Sequence, residues 1–264
     1  MVFLNLNIMA RIIAVASVKG GVGKTTAVSN LATTLNKIGY KTLAIDANIT
    51  GATLGLHLGT SSRNILTLHD VLKGNITIKD AIYKHSLGFH VLLGGIYLND
   101  LNNVDLKYFK EKLLEIKKEY DIILIDCAAG LNDEALNAIN ASDELLLITT
   151  PELPSVADVY KLVEYSENNW IPISGIIVNK EKNSKFKDIT ISDVEEILGR
   201  KVLQVIPKEN EVEDSINLKK PVVNIYPNCK SSKSFEKLAY SLVGKEFPQK
   251  NNFFEKLANI FKKQ

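Results

Sequence analysis

The segment 19–26, Lys-Gly-Gly-Val-Gly-Lys-Thr-Thr, constrains the fold more than any other part of the chain. It follows an apolar run, residues 12–17, that predicts a short buried strand. It precedes residues 27–37, whose apolar positions have helical spacing. A glycine loop between a strand and a helix is the context in which backbone N–H groups surround phosphate oxygens. The sequence therefore predicts a phosphate-binding loop, and the alternative is an ordinary glycine-rich turn.

Each residue type in this loop suits a bound nucleotide. The glycines allow the backbone to turn inward around phosphate oxygens, and the following helix directs the positive end of its dipole toward the same anion. Lys24 can reach the β- and γ-phosphates, the Thr25 hydroxyl can bind magnesium, and Thr26 can donate to the α-phosphate. The predicted backbone cradle consists of Gly20, Gly21, Val22 and Gly23.

The start of the loop departs from the usual pattern, because Val18 stands where glycine is expected five residues before Gly23, and Lys19 leads the loop. In this the sequence resembles the deviant Walker A ATPases, the MinD/ParA family. The resemblance implies ATP and Mg²⁺ as cofactors. It also implies an ATP-dependent homodimer in which Lys19 reaches the partner's phosphates, similar in role to an arginine finger. A solvated loop lysine is the alternative.

A second buried strand, residues 42–45, leads into Asp46-Ala47-Asn48. Open α/β sheets bind ligands at the carboxyl ends of their strands. The resemblance implies that Asp46 lies near the magnesium-bound waters, although a strand-end cap is the alternative. Family members have a second aspartate, which positions the attacking water, where this chain has Asn48. Lys19, Lys24, Asp46 and Asn48 are thus the predicted catalytic residues, and the asparagine predicts slow hydrolysis.

Two later strand ends complete the predicted site. Residues 121–125 form a strongly apolar run that ends in Asp126 and resembles a Walker B strand, which implies that Asp126 holds a magnesium-bound water. The resemblance also implies that Asn179 reads adenine through its amide, whereas Pro207 and its neighbours match the family's second adenine-side segment only in part. Capping and turn roles are the alternatives for Asp126 and Asn179. The predicted metal-binding residues are Thr25, Asp46 and Asp126.

Predicted strands alternate with predicted helices along most of the chain, which favours an α/β fold with a mostly parallel central sheet and helices on both faces. Further strands are predicted at residues 89–93, 144–149, 173–178 and 201–206. Further helices are predicted at residues 66–74, 78–83, 104–118, 155–165, 191–198 and 231–243. We expect residues 10–247 to form one P-loop ATPase domain.

Composition excludes several classes of protein. The chain has 264 residues and a net charge of +2, so the total charge gives no strong attraction to nucleic acid, and we regard DNA as an improbable partner. Its two cysteines form neither a disulfide framework nor the cysteine pairs of iron–sulfur carriers, and they suit a reducing cytoplasm. The four histidines lack metal-ligand spacing and are expected to be surface or packing residues. Residues 1–8 lack the features of a signal peptide, and Met9 could be the true start.

Residues 248–264 are predicted to form a separate tail, with a C-terminal amphipathic helix after Pro248. Spaced at about 100° per residue, its large apolar side chains fall on one side and its lysines on the other. This is typical of a helix that lies on an anionic membrane surface. A helix docked on its own domain is the alternative. The predicted membrane-contacting residues are Phe253, Phe254, Leu257, Ile260 and Phe261.

The tail resembles that of the MinD branch of the family. It implies a cytoplasmic protein bound peripherally at the inner face of the cell membrane. Such a protein would have a regulatory protein partner, whose identity the sequence does not give, and would position cell-division or other polar machinery. Three alternatives stay open: a ParA-like ATPase that carries DNA, a flagellar-number regulator, and a non-hydrolysing scaffold held together by ATP, which Asn48 keeps open.

Overall fold

The computed structural model describes residues 9–60, 64–182 and 189–248. Within these ranges, eight strands form one sheet in the order β3-β4-β2-β5-β1-β6-β7-β8. The strands are β1 (Arg11–Ser17), β2 (Thr42–Ala47), β3 (Tyr83–Lys84), β4 (His90–Leu92), β5 (Ile122–Ala129), β6 (Glu144–Thr149), β7 (Ile173–Glu181) and β8 (Val202–Pro207).

The sheet is parallel except at one edge. β1 pairs in parallel with β5 and β6 at the centre, and the only antiparallel pairing among the described strands joins β3 to β4. The mostly parallel sheet that the sequence predicts is therefore confirmed. Because parallel strands end at the same edge, the loops after β1, β2, β5 and β7 meet there, and these loops carry the predicted site residues.

Helices cover both faces of the sheet. The helices of the described ranges are α1 (Lys24–Lys37), α2 (Leu54–Leu58), α3 (Leu68–Leu72), α4 (Phe109–Ile116), α5 (Asp133–Asn140), α6 (Leu153–Asn168), α7 (Ile191–Leu198), α8 (Asn210–Asn217), α9 (Val222–Ile225) and α10 (Lys230–Leu242). Short 3-10 turns occur at Ile78–Ala81, Leu98–Leu101 and Leu106–Tyr108.

The two faces of the sheet contribute to two separate hydrophobic cores, because successive side chains of a strand point to opposite faces. In β1, Ile12 and Ala14 alternate with Ile13 and Val15, and the two pairs belong to different cores. One core packs against α3, α4, α5, α6 and α7, and the other against α1, α2, α9 and α10. Burial of both faces explains why the strands read as continuous apolar runs rather than alternating ones.

Several boundaries differ from those predicted. The helix predicted at residues 78–83 is only a 3-10 turn, Ile78–Ala81, because Tyr83 pairs with Val91 at the edge of the sheet. The helix predicted at residues 104–118 is shortened to α4 behind a 3-10 turn. Helices α2, α5, α8 and α9 were not predicted; each has only four to eight residues, so its apolar positions span about two helical turns at most.

The tail lies outside the described residues, so the predicted amphipathic helix with Phe253, Phe254, Leu257, Ile260 and Phe261 stays a prediction. In the ranges that the structure describes, no helix is long and apolar enough to cross a membrane.

Candidate nucleotide-binding site

The glycine loop joins β1 to α1 at the carboxyl edge of the sheet. Gly23 precedes α1 with φ of 103°, in the left-handed region that favours glycine. A Cβ atom at this position would also lie 2.3 Å from Nδ2 of Asn179. Backbone strain and lack of space therefore both require glycine here. α1 begins at Lys24, as the predicted loop geometry demands.

Lys24 lies in the wall of the loop with only 8 % of its surface exposed. Its Nζ donates to Oγ of Ser17 at 3.0 Å, and Oγ of Ser17 in turn donates to the carbonyl of Lys19 at 2.8 Å. Burial lowers the pKa of Lys24, and the negative charge of Asp126 opposes that decrease. Ser17 thus orients the predicted phosphate-binding lysine, a role that the sequence did not indicate.

Asp46 and Asp126 lie side by side, because they are direct partners in the register between β2 and β5. Asp46 is fully buried, and its carboxylate accepts the N–H of Leu54 at 2.8 Å and that of Asn48 at 3.3 Å. Burial raises the pKa of Asp46 well above its ordinary value, and the neighbouring charge of Asp126 raises it further. Asp46 therefore caps the loop after β2, so the structural role considered as an alternative is present.

Asp126 differs, because neither of its buried carboxylate oxygens has a hydrogen-bond partner among the described residues. Burial raises its pKa to about 6, and the nearby Thr25 hydroxyl and Lys24 ammonium oppose the rise. A buried carboxylate without a partner is costly unless a ligand satisfies it. Hydrated Mg²⁺ fits this position, since carboxylate and hydroxyl oxygens are the ligands and water-binding groups that it prefers.

A cavity of about 380 Å³ runs from the glycine loop to one side of α8. The predicted site residues in its wall are Gly20, Gly21, Gly23, Lys24, Thr25, Thr26, Asn48, Asn179 and Pro207. The side chain of Val22 is buried in the core, so its predicted part in the cradle concerns its backbone alone and stays a prediction. His57, expected to be a surface or packing residue, also lines the cavity.

Asn179 and Lys180 stand in β7 and hold the glycine loop. Nδ2 of Asn179 donates to the carbonyl of Val22 at 2.7 Å, and Nζ of Lys180 donates to the carbonyl of Gly21 at 2.7 Å. Asn179 therefore has a clamping role besides the predicted contact with adenine. Lys180 is a site residue that sequence reasoning missed, although its place next to Asn179 at the end of a predicted strand was the available signal.

Asn48 lines the cavity and also closes its own loop. Its Nδ2 donates to the carbonyl of Gly51 at 2.6 Å, and the N–H of Gly51 returns a bond to the carbonyl of Asn48 at 3.3 Å. A carboxylate has no hydrogen to donate and could not make the first of these bonds. The asparagine therefore stabilises a tight turn that an aspartate would form less well.

Lys19 does not line the cavity. Its Nζ pairs with Oε2 of Glu152 at 2.7 Å, and both side chains are about half exposed. Lys19 is the main reason that the pKa of Glu152 is lowered. Glu152 follows β6, and sequence reasoning missed it because the two residues are 133 positions apart. The predicted trans-acting lysine is therefore held by an acid of its own chain.

Comparison with known proteins identifies the family of the chain. Residues 10–169 match the family described as AAA domain, and residues 111–261 match the family described as 4Fe-4S iron sulfur cluster binding proteins, NifH/frxC family. An uncharacterized ATP-binding protein of Methanocaldococcus jannaschii is 33% identical over 95% of this chain and 98% of the relative.

Solved structures agree with these sequence matches. The septum site-determining protein MinD of Pyrococcus horikoshii, complexed with Mg-ADP, has a TM-score of 0.85 and 34% identity, covering 89% of this chain and 96% of that one. MinD in the MinC:MinD cell division protein complex of Aquifex aeolicus has a TM-score of 0.81 and 29% identity, covering 92% and 99%. ATP and Mg²⁺ are the cofactors typical of these relatives. The chain belongs to the MinD/ParA family of P-loop ATPases.

Proposed function

We propose that the chain is a MinD-like ATPase that binds Mg-ATP at the glycine loop, dimerises on ATP and associates reversibly with the membrane. Asp126 is the observation that carries the nucleotide part of this proposal. Its two buried oxygens have no partner among the described residues, although Lys24 and Thr25 lie beside it on the loop. Hydrated Mg²⁺ bound with ATP would satisfy this group through its water ligands.

In this proposal each group of site residues has its own role. Backbone N–H groups of the loop and Lys24 neutralise the phosphates, Thr25 holds the metal ion, and Asp46 and Asp126 orient its water ligands. Bound Mg²⁺ supplies charge stabilisation for phosphoryl transfer. Asn48 faces the cavity without the negative charge that its position has in the family, so hydrolysis to ADP and phosphate is slow.

The dimer requires Lys19 to leave Glu152. That ion pair is solvent-exposed, and exposed pairs typically contribute about 0–1 kcal/mol. Such a contact is weak enough to be exchanged for the phosphates of a partner subunit. An ion pair that forms in the monomer and opens in the ATP-bound dimer is consistent with a trans-acting role for Lys19.

The membrane part of the proposal rests on the sequence of the tail, residues 248–264, beyond the ATPase domain of residues 10–247. One short amphipathic helix binds a bilayer weakly, and two helices linked in a dimer bind roughly 10²–10⁴-fold more tightly. ATP-dependent dimerisation would thereby control attachment to the inner face of the cell membrane. The process would be positioning of division or other polar machinery. A regulatory protein would be the partner, just as MinD of Aquifex aeolicus forms a cell division protein complex with MinC.

ATP turnover and vesicle sedimentation, measured together, test this proposal. The full chain should sediment with anionic vesicles in Mg-ATP and not in Mg-ADP. A chain truncated after residue 248 should bind ATP and dimerise, yet stay in the supernatant. Lys24→Ala should abolish nucleotide binding and sedimentation together. Sedimentation of the truncated chain would show that the tail is not the anchor, and a monomer at saturating ATP would contradict the dimer.

A second candidate function is a non-hydrolysing scaffold that recruits partners while ATP holds the dimer together. The hydrogen bond from Asn48 to the Gly51 carbonyl favours the scaffold. Asn48 stands where the family has the residue that positions the attacking water, and its NH₂ group is already bonded to the protein. The scaffold predicts no phosphate release above background in any lipid, with a stable ATP-bound dimer. The ATPase predicts slow but measurable release.

A further inference from the structure

The loop that carries Asn48 is tied to the rest of the molecule by a buried carboxylate. Glu134 lies in the first turn of α5 and is 7 % exposed. Its Oε1 accepts the backbone N–H of Thr50 and its Oε2 accepts the Thr50 hydroxyl, both at 3.0 Å. The two residues are 84 positions apart, so this contact exists only in the folded chain. Both oxygens of one carboxylate are thus used to hold a single residue of an exposed loop.

One end of this contact lies in the loop that carries Asn48, and the other lies in α5, the helix that follows β5 and its Asp126. Thr50 follows Asn48 by two residues, and Glu134 is the second residue of α5. The neighbouring Ile49 is held from another side, because its carbonyl lies 3.0 Å from Nε2 of His69, a fully buried side chain. The Asn48 turn is therefore anchored at consecutive residues by separate elements.

We propose that Glu134 is a positioning residue for ATP hydrolysis: by holding Thr50, it fixes the Asn48 turn against the helix that follows Asp126. This inference rests on the proposed ATPase function. Hydrogen bonds to an ionised carboxylate are stronger than neutral ones, and two of them fix an orientation as well as a distance. Geometry matters at this place, since displacement of a catalytic group by about 1 Å can cost about 10²-fold in rate.

A merely structural role predicts something different. A carboxylate that only fastens a loop would change stability, and its loss would lower ATP affinity and turnover together. A positioning residue changes kcat while KM stays nearly constant, because the phosphates and base are held by other residues. It also predicts that Glu134 and Thr50 act as one unit, so that their substitutions are not additive.

The experiment measures steady-state hydrolysis of Mg-ATP in the faster of two backgrounds, the chain as given or Asn48→Asp. Glu134→Gln keeps the shape of the side chain but removes the charge and one of the two acceptor oxygens, so any bond that it keeps to Thr50 is a weaker, neutral one. We expect it to lower kcat roughly 10- to 100-fold with KM changed less than about twofold. Thr50→Val should lower kcat to a smaller extent, Thr50→Ser should preserve it, and Glu134→Gln combined with Thr50→Val should be no slower than Glu134→Gln alone.

The chain offers a matched control on α7. Oδ2 of Asp193 accepts both the N–H and the hydroxyl of Thr190, each at 2.7 Å, so a carboxylate holds the same two groups of a threonine at an exposed helix start, although through one oxygen. Asp193→Asn should leave kcat unchanged. The inference is overturned if Glu134→Gln behaves like Asp193→Asn, or if kcat and KM change together. If neither background hydrolyses ATP, the proposed ATPase function fails and the inference fails with it, whereas an active background with an unaffected Glu134→Gln overturns the inference alone.

Discussion

β2 and β5 carry neighbouring carboxylates near the loops that follow these strands, yet the two carboxylates are held in opposite ways. Asp46 and Asp126 are register partners, and each is at most 1 % exposed. Asp46 accepts two backbone N–H groups of its own loop, whereas both oxygens of Asp126 lack a partner among the described residues. The loop after β2 is thus held by the protein itself, and we expect the loop after β5 to be completed by a bound cation.

This difference separates two roles that the sequence presents identically. Both aspartates follow runs of apolar residues, and both match the family's pattern for the metal site. The hydrogen bonds that Asp46 accepts stabilise the fold. The Asp126 carboxylate accepts none from the described residues, which costs stability in the nucleotide-free protein and leaves a binding position for a ligand. Substitutions at the two aspartates, and in the loops that follow them, should therefore have different consequences.

The largest effect is expected from Asn48→Asp in the loop after β2. The substitution removes the bond to the Gly51 carbonyl but restores the charge that family members have at this position. One well-placed catalytic group commonly contributes about 10²–10³ in rate, so turnover should rise by about that factor. Phosphate release at saturating Mg-ATP measures it, with Asn48→Ala as a control that should stay slow. Equal rates for the chain as given and Asn48→Asp would mean that another residue positions the water.

The next effect concerns Asp126→Asn in β5. Asparagine keeps the shape but removes the charge that would hold a magnesium-bound water. Loss of such an outer ligand typically costs about 10- to 100-fold in metal affinity. Titration of ATP should show that loss in the presence of Mg²⁺ and little change in excess chelator. Equal losses in both conditions would show that Asp126 acts on the fold rather than on the metal.

The two aspartates should differ in how strongly their replacement changes stability. Asp46→Asn removes a buried charge whose pKa is raised, but it also turns one carboxylate oxygen into a donor that faces a backbone N–H, which costs about 1–3 kcal/mol and offsets that gain. Asp126→Asn removes a buried charge without a partner and should stabilise the nucleotide-free chain by up to about 3 kcal/mol, the equivalent of a pKa raised from 3.8 to about 6. Urea unfolding at pH 7.5 without nucleotide compares them. An equal change in stability for both variants would remove the distinction drawn between the two aspartates.

Urea unfolding repeated at several pH values tests independently whether the charge of Asp126 lowers the stability of the folded chain. The pKa of Asp126 in the folded chain, about 6, lies above the ordinary value of 3.8, so ionisation costs the folded state more than the unfolded state. Relative to Asp126→Asn, the unmodified chain should lose stability as the pH rises from about 3.8 to about 6, and the difference should be constant above that window. A difference that does not vary with pH would mean that Asp126 has a partner in solution.

Much of the fold could be predicted from the sequence, because parallel strands buried on both faces leave long apolar runs. The phosphate loop could be predicted residue by residue, because each of its glycines and cations is adjacent in the chain. The contacts that hold the loop could not: Asn179 with Val22, and Glu134 with Thr50, join residues 157 and 84 positions apart. Such pairs leave no local pattern, because only the sheet order brings them together.

The smallest effect is expected at the exposed start of the phosphate loop, where Lys19 pairs with Glu152. Like the carboxylate of Asp46, the ammonium of Lys19 has a partner within its own chain, but this ion pair is exposed and solvent screens it. Glu152→Gln should release Lys19 and strengthen the ATP-dependent dimer by less than about fivefold, because an exposed ion pair contributes about 0–1 kcal/mol. Sedimentation velocity across a range of protein concentrations measures the dimer constant. Lys19→Ala should keep ATP binding and weaken the dimer, and adding Glu152→Gln to it should change nothing further, since the glutamate acts only through the lysine. A stronger dimer in Glu152→Gln that persists without Lys19 would show that Glu152 opposes association by its own charge.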